Sequence, residues 1–202
     1  MQKSTQKINK FLLALCLVGN SVGAMADPWA QSQQFETKGE YAAAAGLIEP
    51  FLHSGKEKEF AFLRYGWLNY LQGRYDSSIK SYNTALQLNP QSIDARLGIS
   101  LPLLAQQRWQ DTARHLQKIL AVSPWDYTAH VRLLIVEEGL QKWDVLARHA
   151  EALNQHYPSD ATVLVYLARA HAWLGQKDKA AQAYQQVLVR IPNHVEASRY
   201  LQ

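Results

Sequence analysis

Apolar residues along this chain recur at three- and four-residue spacing, the period of a helix with one buried face. That pattern is itself repeated. Prolines stand at Pro90, Pro124, Pro158 and Pro192, 34 residues apart each time. The same shift aligns Gly39, Gly73, Gln107, Gln141 and Gly175, then Tyr41, Tyr75, Trp109, Trp143 and Lys177. It also aligns Ala44, Ser78, Thr112, Leu146 and Ala180. A fixed period of this length predicts stacked pairs of amphipathic helices, which offer a surface rather than a reaction centre. Asp27 before Pro28 predicts a capped helix start, and Ser92, Asp126 and Asp160 predict caps for later first helices. Asp76, Asp144 and Asp178 fall at the start of second helices, where a carboxylate favours the helix dipole, and the prolines end those helices.

The details of the repeat resemble a known family. In 59–92, Phe62, Tyr65 and Gly66 are followed by the turn Gly73-Arg74-Tyr75 and then by Ser78, Tyr82, Ala85 and Pro90. In 161–194, Leu164, Leu167, Ala168, Gly175, Ala180, Tyr184 and Pro192 take the corresponding places. This order of aromatic, small and terminating residues is similar to the tetratricopeptide repeat (TPR). The resemblance implies an all-α helix–turn–helix solenoid, a right-handed superhelix of five 34-residue repeats. The units fall at 25–58, 59–92, 93–126, 127–160 and 161–194, with a helical stub at 195–202.

Two irregularities stand out. The 127–160 unit carries Leu134, Leu146 and Leu153 where the family prefers small residues, and Ala150 where it prefers an aromatic. This exchange predicts a wider helix pair there. Pro102 falls inside the first helix of 93–126, with Gly98 one turn earlier, which predicts a kink that the glycine helps to absorb.

The first 26 residues change the charge picture. Lys3, Lys7 and Lys10 precede the apolar run Phe11–Gly19, and Ala24-Met25-Ala26 follows, the plan of a cleavable secretory signal. Nine apolar residues are too few to span a bilayer. Cys16 lies inside that run after Leu15, which argues against a lipid attachment site. The expected mature chain is one domain, 27–202, exported to the periplasm with no membrane span. The leader holds three of the 21 lysines and arginines and none of the 17 acids, leaving 18 against 17. No basic footprint for nucleic acid remains, and the only cysteine is in the leader, so packing alone must hold the array.

In arrays of this family the first helices line a concave groove. The inward positions here are Trp29, Gln33, Leu63, Trp67, Tyr70, Leu97, Leu101, Leu104, Val131, Ile135, Glu138, Val165, Arg169 and Trp173. A stripe this apolar, with aromatic anchors, predicts a groove for a partner polypeptide. The lysine, arginine and asparagine set with which some relatives clamp a terminal carboxylate is missing from it. Arg132, Arg169 and Arg199 suggest instead a small basic cluster near the C-terminal end. None of the seven histidines forms a helical pair with a supporting carboxylate, and no phosphate loop, nucleophile elbow or dinucleotide fingerprint occurs. The expected protein is therefore a non-catalytic envelope scaffold without cofactor or metal. Glycan binding through Trp67, Tyr70 and Trp173 is the alternative, and self-association through the C-terminal end is a variant.

Overall fold

The computed structural model describes residues 27–202 apart from Ser54. The expected secretory leader lies outside these residues. Among the described residues the chain forms eleven α-helices and no strand. They are α1 (Pro28–Thr37), α2 (Tyr41–Ile48), α3 (Lys58–Leu71), α4 (Tyr75–Leu88), α5 (Ile93–Ala105) and α6 (Trp109–Leu120). After these come α7 (Tyr127–Gly139), α8 (Trp143–His156), α9 (Ala161–Trp173), α10 (Lys177–Arg190) and α11 (Val195–Tyr200). A short 3-10 turn, Glu49–Leu52, follows α2.

The helix boundaries fall where local chemistry sets them. Asp27, Ser92, Asp126 and Asp160 each accept a hydrogen bond from a backbone N–H in the first turn, at 3.2, 3.2, 2.8 and 2.9 Å. Between paired helices the chain reverses through a left-handed residue. Gly39, Gly73 and Gly175 take φ of 77°, 71° and 71° there, and Gln107 and Gln141 take 54°. The two glutamines accept a conformation that glycine adopts freely.

Each helix packs mainly on its neighbours in sequence. From α3 onward the odd-numbered helices also touch one another, as α3 with α5, α5 with α7 and α7 with α9. The even-numbered helices meet each other sparsely at most. The odd helices therefore form the tighter, inner layer, and the even ones splay around the outside. The apolar interior is distributed along the stack: Ile48 and Leu68 at one end, Leu116, Ile119 and Leu133 in the middle, and Leu146, Leu153, Leu164 and Val187 toward the other end.

Small residues set how closely paired helices approach. Ala44, Ser78, Thr112 and Ala180 are all fully buried at the matching point of their units. In the unit that carries Leu134, Leu146 and Leu153 these leucines are fully buried, and α7 and α8 pack less closely than the two helices of any other unit. The expected widening is present.

Pro102 does not break α5, which runs unbroken from Ile93 to Ala105. The turn before it is held from outside the backbone ladder. Leu97 O accepts from Ser100 Oγ at 2.7 Å and from the Arg132 guanidinium of α7. Gly98 has a different task from the expected one. A β-carbon there would stand 2.2 Å from the Tyr82 ring, and one at Gly66 would stand 3.0 Å from the same ring. Tyr82 is 3% exposed, so α4 inserts one aromatic ring between two glycines on α3 and α5.

Gly98→Ala is expected to lower stability by about 2 kcal/mol, because overpacking outweighs the gain in helix propensity. Gly46, inside α2, has no atom within 4 Å of a β-carbon position, so Gly46→Ala is expected to raise stability by about 0.5–1 kcal/mol. Urea unfolding of both variants checks this, and shifts of the same sign would refute the role given to Tyr82.

Candidate functional site

The stripe expected on the inner helices is divided by the structure into core and surface. Trp29 packs on Phe51 and Phe60, with ring centroids 4.8 and 4.9 Å apart, and closes the first helix pair. Leu63 packs against Tyr82, Ile99 and Leu103, and Leu97 against the Leu116–Ile119 cluster. Val165 is buried in the large cluster around α8 to α10. These residues serve the stack itself. Leu101, Leu104, Val131 and Ile135 are half-buried along the middle of the inner layer.

Aromatic groups stand at both ends. At one end Trp67 stacks on Tyr70 at 5.7 Å, and Tyr70 meets Tyr75 at 5.9 Å. At the other, Trp173 is 68% exposed and lies flat on Trp143, centroids 5.0 Å apart and planes 6° from parallel. The 34-residue frame explains this pair. One unit earlier Trp109 lies over Gly139, where a β-carbon would stand 2.7 Å from the indole. Each tryptophan that opens a second helix covers the end of the next first helix, and Trp173 fills the place that Gly139 leaves empty.

The sequence reading missed the polar groups beside these aromatics. The Trp67 indole N–H donates to Glu36 Oε1 at 2.7 Å, and Glu36 is ion-paired with Arg64. Arg64 also donates to Ser32 Oγ at 3.2 Å. With Gln33 and Thr37 these groups line an open depression of 520 Å³ between α1 and α3. The signal was present in sequence, since Glu36 and Arg64 lie on the helix faces that carry Gln33 and Trp67, but no helix period fixes which polar residues will meet.

The three arginines expected to cluster have different partners. Arg169 pairs with Glu196 at 2.6 Å and with Glu138 at 3.3 Å, and lies 5.5 Å from the Tyr166 ring centroid. Hydrogen bonding to Arg169 holds the Glu196 carboxyl below the usual carboxylate range. Arg132 turns the other way, to Leu97 O and to Ser100 Oγ at 2.7 Å. Arg199 is exposed on α11.

Two histidines that the sequence left unrelated meet across the widened α7–α8 pair. His130 Nδ1 lies 2.9 Å from His149 Nε2. His149 Nδ1 lies 2.9 Å from Glu137, and His130 Nε2 lies 2.9 Å from Pro124 O. The two outer partners are acceptors, so the outer ring nitrogens are the donors there. Among the described residues no group of three metal-ligating side chains stands close enough to hold an ion. None of the described helices is long and apolar enough to cross a membrane.

The architecture defines a helical-repeat solenoid whose inner layer is built to present a surface. The comparisons with known proteins give the family. Residues 68–101 match the TPR repeat and residues 162–194 match the tetratricopeptide repeat. The chain thus carries tetratricopeptide repeats at these two places. Its fold is similar to MamA (41-end) from Desulfovibrio magneticus, at 16% identity over 85% of this chain and 99% of that one, with a TM-score of 0.74. A thermophilic TPR protein from Thermus thermophilus matches at 18% identity over 86% and 95%, with a TM-score of 0.61. YrrB, described as a TPR protein with an unusual peptide-binding site, matches at 14% identity over 85% and 89%, with a TM-score of 0.71. None of the curated proteins matches the sequence.

Histidine protonation gives the stability of the fold a pH dependence. Burial lowers His130, opposed by the Pro124 carbonyl and by Asp126 and Glu137, while His149 adds to the lowering. Burial, helped by Arg96, Lys118 and Arg114, lowers His115 to about 4. Both rings hold protons less tightly folded than unfolded. The stability they confer is therefore present above the ordinary histidine value near 6.5 and is lost as pH falls toward about 4. Urea midpoints are expected to fall between pH 7 and pH 4.5, and His115→Leu is expected to shrink that fall. An unchanged pH profile in the variant would refute the assignment.

Proposed function

We propose that this protein is a non-catalytic scaffold of the bacterial cell envelope that holds a partner polypeptide along its inner helices. The observation that carries the reading is Trp173, a large aromatic ring left 68% exposed and braced flat on Trp143 at one end of the stripe. A rigid, supported indole facing solvent is the kind of group that anchors an interface. The Trp67–Tyr70 pair supplies a second anchor, and the half-buried Leu101, Leu104, Val131 and Ile135 supply the apolar floor between them. An amphipathic helix or an extended segment fits such a groove. The envelope assignment rests on the leader-like Lys3–Ala26 sequence.

Glycan binding is the second reading, and one observation favours it. The depression beside Trp67 contains Gln33, Thr37, Glu36 and Arg64, polar groups of the kind that bond sugar hydroxyls beside a ring. Self-association is a variant of the first reading, supported by the exposed Val189, Ile191 and Val195 near the C-terminal end.

Affinity capture from periplasmic extract with residues 27–202 is expected to retain a polypeptide that Trp67→Ala/Tyr70→Ala and Trp173→Ala each lose. Circular dichroism should show both variants folded, with Trp173→Ala costing about 1 kcal/mol or less. Equal capture by all three proteins would sink the groove reading. A tryptophan-fluorescence shift with oligosaccharides and no captured polypeptide would favour the glycan reading. Light scattering that shows a monomer at high concentration would dispose of self-association.

A further inference from the structure

Of the five arginines on the odd-numbered helices, Arg64, Arg132 and Arg169 each bond to a neighbouring odd-numbered helix, and these three differ in one respect. Arg64 is ion-paired with Glu36, and Arg169 with Glu138 and Glu196. Arg132, between them on α7, has no carboxylate within ion-pairing distance among the described residues. Its bonds go to neutral acceptors, the Leu97 carbonyl and the Ser100 hydroxyl, through one terminal nitrogen. Residues 1–26 contain no aspartate or glutamate, so this chain has no further acid to offer.

The position is also partly withdrawn from water. Burial is the largest influence on Arg132 and lowers its pKa; the neighbouring Tyr70, Tyr82 and Asp126 oppose that effect. Arginine nonetheless stays charged at any physiological pH. A half-buried guanidinium with spare donors and no counterion is an expensive group to keep. Bonding to Leu97 O explains one nitrogen, and an uncharged amide would serve that bond as well. Asp126 acts on that charge only from beyond ion-pairing distance, so no carboxylate among the described residues contacts it.

We infer that Arg132 is the counterion for an aspartate or glutamate side chain within the partner segment, with large apolar residues on either side of that acid. This rests on the polypeptide-groove reading above and sharpens it. An internal acid fits better than a chain end because the groove continues in both directions from Arg132. Trp67, Tyr70 and Leu101 lie on one side, Ile135 and Trp173 on the other. A terminal carboxylate at Arg132 would leave one of these arms uncovered.

The test uses three N-acetylated peptides, two of them C-terminally amidated, and the 27–202 protein with nitrogen-15-labelled arginine side chains. The first peptide is acetyl-Ala-Leu-Leu-Glu-Leu-Leu-Ala-amide, and the second replaces its Glu with Gln. The third is the Gln peptide with a free C-terminal carboxylate. NMR titration is expected to show a saturable shift of the Arg132 Nε–H with the Glu peptide, bound at least tenfold more tightly than the Gln peptide. Arg132→Gln, which can still bond Leu97 O, should abolish that preference, while Arg169→Gln should retain it. Arg132→Lys, which keeps the charge, should recover part of it. Equal binding of the Glu and Gln peptides with Arg132 unmoved overturns the inference and leaves the groove reading standing. Tighter binding of the free-acid peptide than of the Glu peptide overturns the choice of an internal acid. If no peptide moves any inner-helix resonance at millimolar concentration, the groove reading and this inference both fall.

Discussion

No helix pair in this protein can enclose its own apolar face, and that constraint governs the rest of the structure. The buried clusters span successive pairs: Leu116 and Ile119 of α6 close on Ala129 and Leu133 of α7, and Leu146 and Leu153 of α8 close on Leu164 of α9. Stacking is thus the folding event itself, as it is in other one-dimensional arrays. It also decides which faces remain for function. The first helices, drawn together in the inner layer, leave Trp173 exposed and Trp67 and Tyr70 half-buried.

Most of the fold was legible in the sequence because a 34-residue period is a long-range statement written in local residues. The caps at Asp27, Ser92, Asp126 and Asp160 and the reversals at Gly39, Gly73 and Gly175 follow from chemistry within a few residues. The wider α7–α8 pair was legible for the same reason, since Leu146 stands where other units carry alanine, serine or threonine. Gly98 was misread. Its neighbour in sequence is Pro102, but its neighbour in space is Tyr82, and a helix kink and a ring slot leave the same glycine in the sequence.

The candidate face was less legible. Periodicity places a side chain on a face of a helix but does not say how deeply the next unit covers it. Leu63, Leu97, Val131 and Val165 share one register, yet Val165 is buried while the other three are half-buried, and Trp173 is left out and rests on Trp143. Polar pairing was harder still. Arg132 and Arg169 are one unit and a few residues apart and seemed alike, yet only Arg169 finds acids, because Glu138 and Glu196 happen to flank it in space. The link between His130, His149 and Glu137 joins two helices across a turn and has no signature in spacing.

The ring of Tyr82 has a consequence for how such a chain can lengthen. Solenoids extend by duplicating units, and a duplicated segment must fit against whatever follows it. The segment that carries Tyr82 presents a ring to the next first helix, and that helix receives it only where Gly98 lacks a β-carbon. At the same step in the following units the chain has Arg132 and Tyr166, side chains that would fill the slot. A tandem copy of that segment placed before either of those units would meet an occupied seat, whereas the matching ring of Tyr184 rests against Tyr200 at the end of the stack. The order of the units is therefore fixed by shape, and the modules, though alike in outline, are not interchangeable parts.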